Sequence, residues 1–547
     1  MALVSAFAAM AAPASGQEPG FGQEGGGPAG GAALVEPDER WVPWDAVRRL
    51  TLEGGVPLPP YRPLSRQELL EALRSAWEDG APALRQGGES ALLERLVRQL
   101  DASGAGLSAS LRSGLLFGEV GYVVEGQAGL AAAPGLEAVI EPSLAGGSGR
   151  WWGAVTARIH GRALRSGRVP ADPFLYAGWP DATGAPRLRD ARLASGAWAV
   201  DWPLAVAGAR LGNWAVSAGW APARTGPGVG GGLLLGETGP PLPSITLRRT
   251  APFRWSGPLG PLAPASLLVR VGRVSAQQIV ARDGWRSRSW RDEPWLTQWL
   301  LGWRPARWLS AGGSLAALSV ARSGSLLPDL LQVNFPLPSV TSVEAERGPV
   351  TDRIASLQFE GRWRRAPWPL LPAAAGRLYW EYGGEDLNPP GRIPLLPQLS
   401  APASILGVEL VDPRWDLSLE YTELEHPLVL WYGNGGLSAG WTQRGWLLGH
   451  PLGGSGEGVR GATRWRPAGA LLEIGLLGSH ATCGQAGMTP GRSERWTWEL
   501  SLQPPEGAAR WRIAVAHERE LVSTFGSADG GAPQRLDWWR AEITGGF

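Results

Sequence analysis

A short stretch of the sequence places planar cations beside indole rings. It contains four arginines and three tryptophans: Arg282, Trp285, Arg286, Arg288, Trp290, Arg291 and Trp295. A guanidinium group can form two parallel hydrogen bonds with a carboxylate, and an indole presents a flat apolar face for stacking. These side chains could therefore bind an anionic saccharide. The alternative is that the tryptophans lie at a membrane interface and the arginines are solvated in an ordinary loop.

Other residues that could carry chemistry do not follow a catalytic spacing. None of the five histidines (His160, His426, His450, His480 and His517) has a second histidine at the spacing of an H-E-x-x-H zinc motif. Gly226, Gly228 and Gly231 match G-x-G-x-x-G, but no helix is predicted after them, and one chance match is expected in a chain with 78 glycines. We therefore predict no cofactor, no metal site and no enzymatic activity.

The composition excludes several classes of protein. The 547 residues include 30 tryptophans, which argues against a disordered chain. No apolar run reaches the roughly 18 residues that a membrane-spanning helix needs. All 51 basic residues are arginines and are balanced by 50 acidic residues, so the sequence lacks the basic excess typical of nucleic-acid binding. The single cysteine, Cys483, excludes an internal disulfide.

The first hundred residues are organised differently from the rest. Residues 1–16 contain an apolar, alanine-rich stretch that ends in Ala12-Pro13-Ala14, and we interpret them as a signal peptide rather than a disordered tail. Residues 17–40 are glycine-rich and indicate a linker. Residues 41–104 predict a small helical domain, in which Ser65 and Glu68 form a capping box before an amphipathic pattern.

From about residue 105 the hydrophobic pattern changes to a period of two. In Trp415–Tyr421 the apolar residues alternate strictly with Asp416, Ser418 and Glu420, which indicates a strand with one apolar and one polar face. A soluble sandwich also alternates. However, many polar-face residues are ionised, as in a hydrated lumen, and tryptophans recur near strand ends, as in the aromatic girdles of transmembrane barrels.

Residues 105–547 are therefore predicted to form an all-β fold, an antiparallel transmembrane β-barrel. Dividing them at roughly 24 residues per strand and connection gives about 18 strands, with 16 as the alternative. The last strand is amphipathic and ends in Phe547, similar to the terminal signal of bacterial outer-membrane proteins. Long segments rich in proline and glycine are expected to be extracellular loops, namely Gly167–Arg189, Thr225–Pro264, Gly324–Asp352 and Gly384–Pro402, with shorter ones near Gly449 and Val522.

Two motifs resemble those of Wzi-type capsule assembly proteins. The first runs from Trp220 to Pro243, and the second, Gly449-His450-Pro451-Leu452-Gly453, resembles the Gly-His-Pro-Leu-Gly motif of that family. Arg62-Pro63-Leu64-Ser65 is similar to its periplasmic helical element. Thr225 and Glu237-Thr238 depart from the family pattern. The residues that carry the resemblance are Trp220, Arg224, Gly226, Pro227, Gly228, Pro240, Pro243, Gly449, His450, Pro451 and Gly453.

The resemblance implies a bacterial outer-membrane barrel with a periplasmic helical domain at residues 41–104. In that family the barrel is lectin-like and anchors capsular or extracellular polysaccharide at the cell surface. The implied partners are this polysaccharide, outer-membrane lipid and the barrel-assembly machinery, and we expect a monomer that binds no nucleic acid. We expect the motif glycines and prolines to shape loops, and His450 to be structural rather than a ligand. A porin or transport channel is the main alternative, and an outer-membrane enzyme acting on lipid or glycan is the third.

Overall fold

A computed structural model supplies the three-dimensional structure of the chain. It describes residues 47, 51–52, 61–62, 69, 73, 106–118, 122–123, 131–132, 135–148, 150–165, 198–236, 239–249, 252–253, 264–275, 277–279, 288–290, 293–306, 308–320, 350–364, 375–388, 398–412, 414–426, 431–432, 441–443, 446–467, 472–483, 491–504, 510–524 and 534–546. The predicted signal peptide, the linker and most of the predicted helical domain lie outside these residues. Within the described part of the chain, no helix is long and apolar enough to cross a membrane.

Eighteen antiparallel strands form a closed barrel, which confirms the predicted fold class. The strands are β1 Gly106–Gly118, β2 Gly135–Ser148, β3 Trp151–Arg165, β4 Ala199–Leu211, β5 Trp214–Ala221, β6 Leu242–Arg249, β7 Pro264–Arg273, β8 Trp295–Ala306, β9 Leu309–Val320, β10 Val350–Trp363, β11 Ala375–Asn388, β12 Gln398–Asp412, β13 Trp415–Glu423, β14 Gly456–Trp465, β15 Glu473–Cys483, β16 Gly491–Gln503, β17 Arg510–Thr524 and β18 Gln534–Gly546. Each strand pairs with the preceding and the following one, and β18 closes the barrel on β1 through Arg112↔Gly546 to Gly118↔Arg540. Closure pairs the backbone of every wall strand on both sides, which is what a strand needs in a bilayer.

The two ends of the barrel differ in the length of their connections. At one end, residues 149–150, 212–213, 307–308 and 413–414 join neighbouring strands directly. At the other end the connections are longer, including residues 222–241 and 424–455. Outer-membrane barrels have short turns on the periplasmic side and long loops outside. We therefore refer to the short-turn end and the long-loop end.

The alternation predicted from the sequence is present in the wall. Leu417, Leu419 and Tyr421 are exposed on the outer face of β13, whereas Glu420 between them is buried inside. Exposed tryptophans lie at both ends, with Trp151 and Trp308 at the short-turn end and Trp198 at the long-loop end. The outside of the barrel thus carries an apolar surface with aromatic residues near its margins, as lipid contact requires.

The inner face differs from the hydrated lumen that the charge pattern suggested. Its ionised groups are largely buried and paired with one another. Arg158 and Glu141 are fully buried and joined at 2.6 Å, and Glu141 also contacts Arg112 at 3.0 Å. His160 lies between two carboxylates, with its ring nitrogens 2.7 Å from Glu137 and 2.8 Å from Asp201. A buried charge is tolerated when it is paired and hydrogen-bonded, so these contacts explain how the charges are accommodated.

The prediction that Thr225–Pro264 forms a single extracellular loop is wrong. Its middle forms wall strand β6, and its first part lies inside the barrel. Prolines around β6 obscured the strand pattern, since Pro243 lacks a backbone N–H. The structure accommodates Pro243 because it pairs with Trp220 of β5, while the pairing of β6 with β7 begins only at Ser244. Gly384–Pro402 is also shorter as a loop than expected, because β11 extends to Asn388 and β12 starts at Gln398.

Part of the N-terminal region is described. Val47, Thr51, Leu52, Leu69 and Leu73 are helical and buried, and the last two have the i, i+4 spacing of the predicted amphipathic helix. Tyr61–Arg62 forms a short antiparallel pair with Arg224–Thr225, which follows β5. The N-terminal region thus contacts the segment that carries the first family-like motif.

Candidate functional site in the barrel lumen

Two connections at the long-loop end fold back into the barrel. We call residues 222–236, 431–432, 441–443 and 446–455 of these connections the plug. The first part leaves the wall early because β5 has only 8 residues, whereas its neighbour β4 has 13. The second part follows β13 and includes the motif near Gly449, which the sequence analysis assigned to an outer loop. That assignment is wrong, because these residues pack against the inner face of the wall.

Leucines and aromatic rings form the core of the plug. Leu233, Leu234, Trp431, Tyr432 and Trp441 are fully buried and pack in one cluster with inward-facing wall residues. The indole nitrogens of Trp431 and Trp441 donate hydrogen bonds to the wall. Trp431 Nε1 donates to the carbonyl of Ala401 at 2.9 Å, and Trp441 Nε1 donates to Asp352 Oδ2 at 2.8 Å. Apolar packing and directed polar contacts therefore hold the same residues.

Carboxylates of the wall bind the backbone of the plug. Glu420 on β13 accepts hydrogen bonds from the N–H groups of Val229 at 2.5 Å and Gly230 at 2.9 Å, and from the hydroxyl of Tyr379 at 2.7 Å. Glu381 on β11 accepts from the N–H of Leu233 at 3.3 Å. The N–H of Tyr432 donates to Glu385. The wall thus satisfies buried donors that the loop cannot satisfy internally.

Arg377 on β11 supplies the opposite kind of contact. Its Nη2 donates to the carbonyl of Pro227 at 3.0 Å, and its other nitrogens contact Glu360 at 3.1 Å and Glu409. Within the plug, Arg224 donates to the carbonyls of Gly228 and Val229. The carbonyls at the tip of the first loop therefore face cations, while the following N–H groups face carboxylates.

The two family-like motifs contact each other inside the lumen. Gly236 donates to the carbonyl of Leu448 at 2.7 Å. The hydroxyl of Tyr432 donates to the carbonyl of Leu233 at 2.5 Å and accepts from the N–H of His450 at 3.0 Å. Burial raises the pKa of Tyr432, so its phenol stays neutral and serves as donor and acceptor at once. His450 Nδ1 accepts a hydrogen bond from the N–H of Leu452 at 3.3 Å.

Glycines in both motifs allow these close approaches. Gly226 has φ near +102°, a conformation that side chains disfavour, and a Cβ there would overlap the carboxylate of Glu381. A Cβ at Gly449 would overlap the ring of Tyr432. These two positions accept glycine because other side chains already occupy the space next to the backbone.

The predicted motif residues fall into two groups. Arg224, Gly226, Pro227, Gly228, Gly449, His450, Pro451 and Gly453 lie in the plug. Trp220 instead points outward on β5, and Pro240 and Pro243 lie where the chain returns to the wall at β6. The plug contacts of Glu381, Glu420 and Arg377 were not identified from the sequence. The only sequence feature that marks these three residues is a charged side chain at an inward-facing position of a strand. Many other strands have the same feature.

The arginine and tryptophan stretch is described only in part. Arg282, Trp285, Arg286 and Arg291 lie outside the described residues. Arg288 and Trp290 belong to a three-residue strand that pairs with Gln277–Ile279 in the connection between β7 and β8. Trp295 begins β8, and the guanidinium of Arg273 lies 5.6 Å from its ring centre. Among the described residues, no group of histidine, cysteine or carboxylate side chains is arranged to hold a metal ion.

Comparisons with known proteins give one family and a set of similar folds. A family model described as capsule assembly protein Wzi matches residues 204–524. The fold is similar to that of Wzi from Escherichia coli, with a TM-score of 0.61 and 14% identity, covering 94% of this chain and 99% of that chain. That protein is described as an outer membrane protein involved in group 1 capsule assembly and as a carbohydrate-binding β-barrel. OccAB2 from Acinetobacter baumannii gives a TM-score of 0.44 and 11% identity, covering 81% of this chain and 98% of that chain. OpdK from Pseudomonas aeruginosa, solved with vanillate, gives 0.41 and 11% identity, with coverages of 81% and 98%. No curated protein sequence matches the chain.

Proposed function

Because the chain belongs to the Wzi family of capsule assembly proteins, we propose that it anchors capsular or extracellular polysaccharide at the surface of a bacterial outer membrane. The observation that carries the proposal is a closed barrel whose lumen holds a docked plug built from the two motifs that resemble this family. A plugged barrel with long connections at one end offers a rigid base for external loops. Its function then depends on what those loops bind.

Binding of a long polymer can be strong without a strong single contact. A repeating polysaccharide presents the same sugars many times, so several weak contacts on one surface add through effective concentration. The stretch that includes Trp285, Arg286 and Trp290 supplies indole faces and guanidinium groups suited to an anionic sugar. Stacking and hydrogen bonding need no covalent step, so the proposed activity is binding without catalysis or cofactor.

The segments that precede the barrel are part of the same proposal. Residues 1–16 direct export, residues 17–40 are a linker, and residues 41–104 form a periplasmic helical domain before the barrel at 105–547. The contact of Tyr61–Arg62 with the plug supports an N-terminal domain that reaches the barrel lumen. We further propose a monomer that is inserted by the barrel-assembly machinery and surrounded by outer-membrane lipid.

The plug argues against the porin alternative. Large steady currents require an open water path, whereas the described plug packs fully buried leucines and aromatic rings against the inner face of the wall. A plug docked inside the lumen is what an anchoring barrel allows and a wide channel does not.

Deleting the gene is expected to release polysaccharide from cells without stopping its synthesis. The anchor acts after export, so total polysaccharide should stay within about twofold of the parent while the cell-bound share falls severalfold. The measurement is uronic acid or total hexose in the cell pellet and in the wash after mild shearing. Polysaccharide that stays on the deletion strain to the parental extent contradicts the proposal.

Replacing Trp285 and Trp290 together by alanine is expected to weaken retention while the barrel remains at its normal level. Stacking surfaces contribute roughly 1–2 kcal/mol each when a flat ring is covered, so the loss should be about tenfold or more in polymer affinity. Retention is measured as above, beside immunoblots of the outer-membrane fraction. A matched control removes Trp308 and Trp465, which are exposed at the short-turn end. Unchanged retention in the Trp285/Trp290 variant refutes the role of this stretch.

A further inference from the structure

A group of charged residues lies on the outside of the barrel near the long-loop end. Arg519 on β17 and Arg535 and Asp537 on β18 share the face that carries the exposed apolar residues of these strands. Trp539, two residues from Asp537, is 52% exposed on that face, and Val515, four residues from Arg519, is 41% exposed. The alternation of the strands therefore directs these charges toward the membrane side rather than the lumen.

Aromatic rings mark where the apolar surface ends. The indole of Trp539 lies 4.7 Å from the imidazole of His517, and Trp496 on β16 lies 5.1 Å from His480 on β15. Indoles concentrate where the apolar layer meets the polar head groups. Arg519 and Arg535 are further toward the long-loop end than His517 and Trp539 on the same strands, and Arg519 pairs directly with Trp496. They consequently lie at the level of the head groups of the outer leaflet.

Asp537 holds the two arginines in one arrangement. Arg519 Nε lies 2.8 Å from Asp537 Oδ1, and Arg535 Nε lies 2.6 Å from Asp537 Oδ2. The carboxylate of Asp537 thus accepts a hydrogen bond from the Nε of each guanidinium group. The side chains remain 44% and 58% exposed. Arg492 on β16 is exposed on the same face, so three neighbouring strands contribute an arginine there.

We propose that this surface binds the phosphate groups of a phosphorylated glycolipid in the outer leaflet. A guanidinium forms paired, charge-assisted hydrogen bonds with phosphate oxygens. Glu494, on the same face of β16 as Arg492, is 41% exposed. Three arginines against the two carboxylates Asp537 and Glu494 leave a positive surface, which complements a lipid that carries two phosphates. The indoles below would contact the start of the acyl chains. The site is separate from the plug and from the loops proposed to bind polysaccharide.

The test uses the full-length purified protein and lipid A as the probe. Native mass spectrometry in detergent compares bisphosphorylated lipid A with its dephosphorylated form. The wild type should retain the bisphosphorylated lipid preferentially, and R519Q/R535Q should reduce that preference by about tenfold or more. The control R150Q/R414Q makes the same charge change at exposed residues of the short-turn end and should keep the preference. Heat-modifiable migration in electrophoresis verifies that each barrel is folded.

Three outcomes overturn the proposal. The wild type could retain both forms of the lipid equally, R519Q/R535Q could keep the wild-type preference, or R150Q/R414Q could lose it to the same extent. Cell-bound polysaccharide is measured in the same strains. Loss of lipid preference with normal retention separates this site from the proposed anchoring function.

Discussion

Replacing Glu420 with alanine is expected to undock the plug and raise the ion conductance of the purified barrel. Glu420 accepts two backbone N–H groups of the plug and the hydroxyl of Tyr379. A hydrogen bond to a charged acceptor contributes about 1.5–3 kcal/mol, so the loss of the two contacts with the plug should cost the docked state about 3–6 kcal/mol. The buried N–H groups of Val229 and Gly230 would then favour a state in which water reaches them.

The experiment is single-channel recording in planar bilayers. The wild type should show small or rare openings, and Glu420→Ala should show larger and longer ones. Glu423→Ala is the matched control, because it removes the same side chain from the same strand where Glu423 is exposed. Equal traces from Glu420→Ala and the wild type contradict the role of Glu420. Large steady currents from the wild type contradict the plugged anchor itself and favour the channel alternative.

Replacing Arg158 with methionine is expected to destabilise the barrel more than removing the whole ion pair. Arg158 and Glu141 are both fully buried on neighbouring strands. Removing only the arginine takes one cationic partner from a fully buried carboxylate, which keeps its contact with Arg112, and this costs about 3–5 kcal/mol. The double variant Arg158→Met, Glu141→Leu removes both fully buried charges. It also removes the contact with Arg112, but the Arg112 side chain is 13% exposed and reaches solvent, so the double variant should still recover most of that loss.

The measurement is the urea midpoint of unfolding in lipid vesicles, followed by tryptophan fluorescence. The urea midpoint is expected to be highest for the wild type, lower for the double variant and lowest for Arg158→Met. Arg414→Met is a control at an exposed turn residue and should leave the midpoint unchanged. A double variant that is no more stable than Arg158→Met contradicts the argument, because it would show that the buried carboxylate is not the source of the instability.

The wall was predictable because its signal is local. A strand with lipid on one side and the lumen on the other alternates with a period of two, which is visible within seven residues such as Trp415–Tyr421. The C-terminal strand shows the same pattern through Trp539 and Ile543, both exposed in the structure. The number of strands followed from chain length, since each strand with its connection uses a similar number of residues.

Strand β6 shows where this reasoning failed. Ile245 and Leu247 alternate with Thr246 and Arg248 and are exposed outside, but the strand has only 8 residues and stands beside prolines. The proline and glycine content of the whole segment therefore predicted a loop, although a short alternating pattern within it indicated a strand. Length and proline content alone could not separate an outer loop from a loop that enters the barrel.

The amino-acid sequence by itself determined the barrel, its approximate strand number and the two motifs, because alternation and motif spacing involve residues close together in the chain. Only the tertiary structure decided what the motifs do. Glu420 contacts Val229 across 191 positions, and Tyr432 contacts Leu233 across 199. These distances in sequence leave no local pattern, since any inward carboxylate could be a solvated lumen residue. Closure of the barrel brings these groups together, buries them and turns two apparent outer loops into one plug.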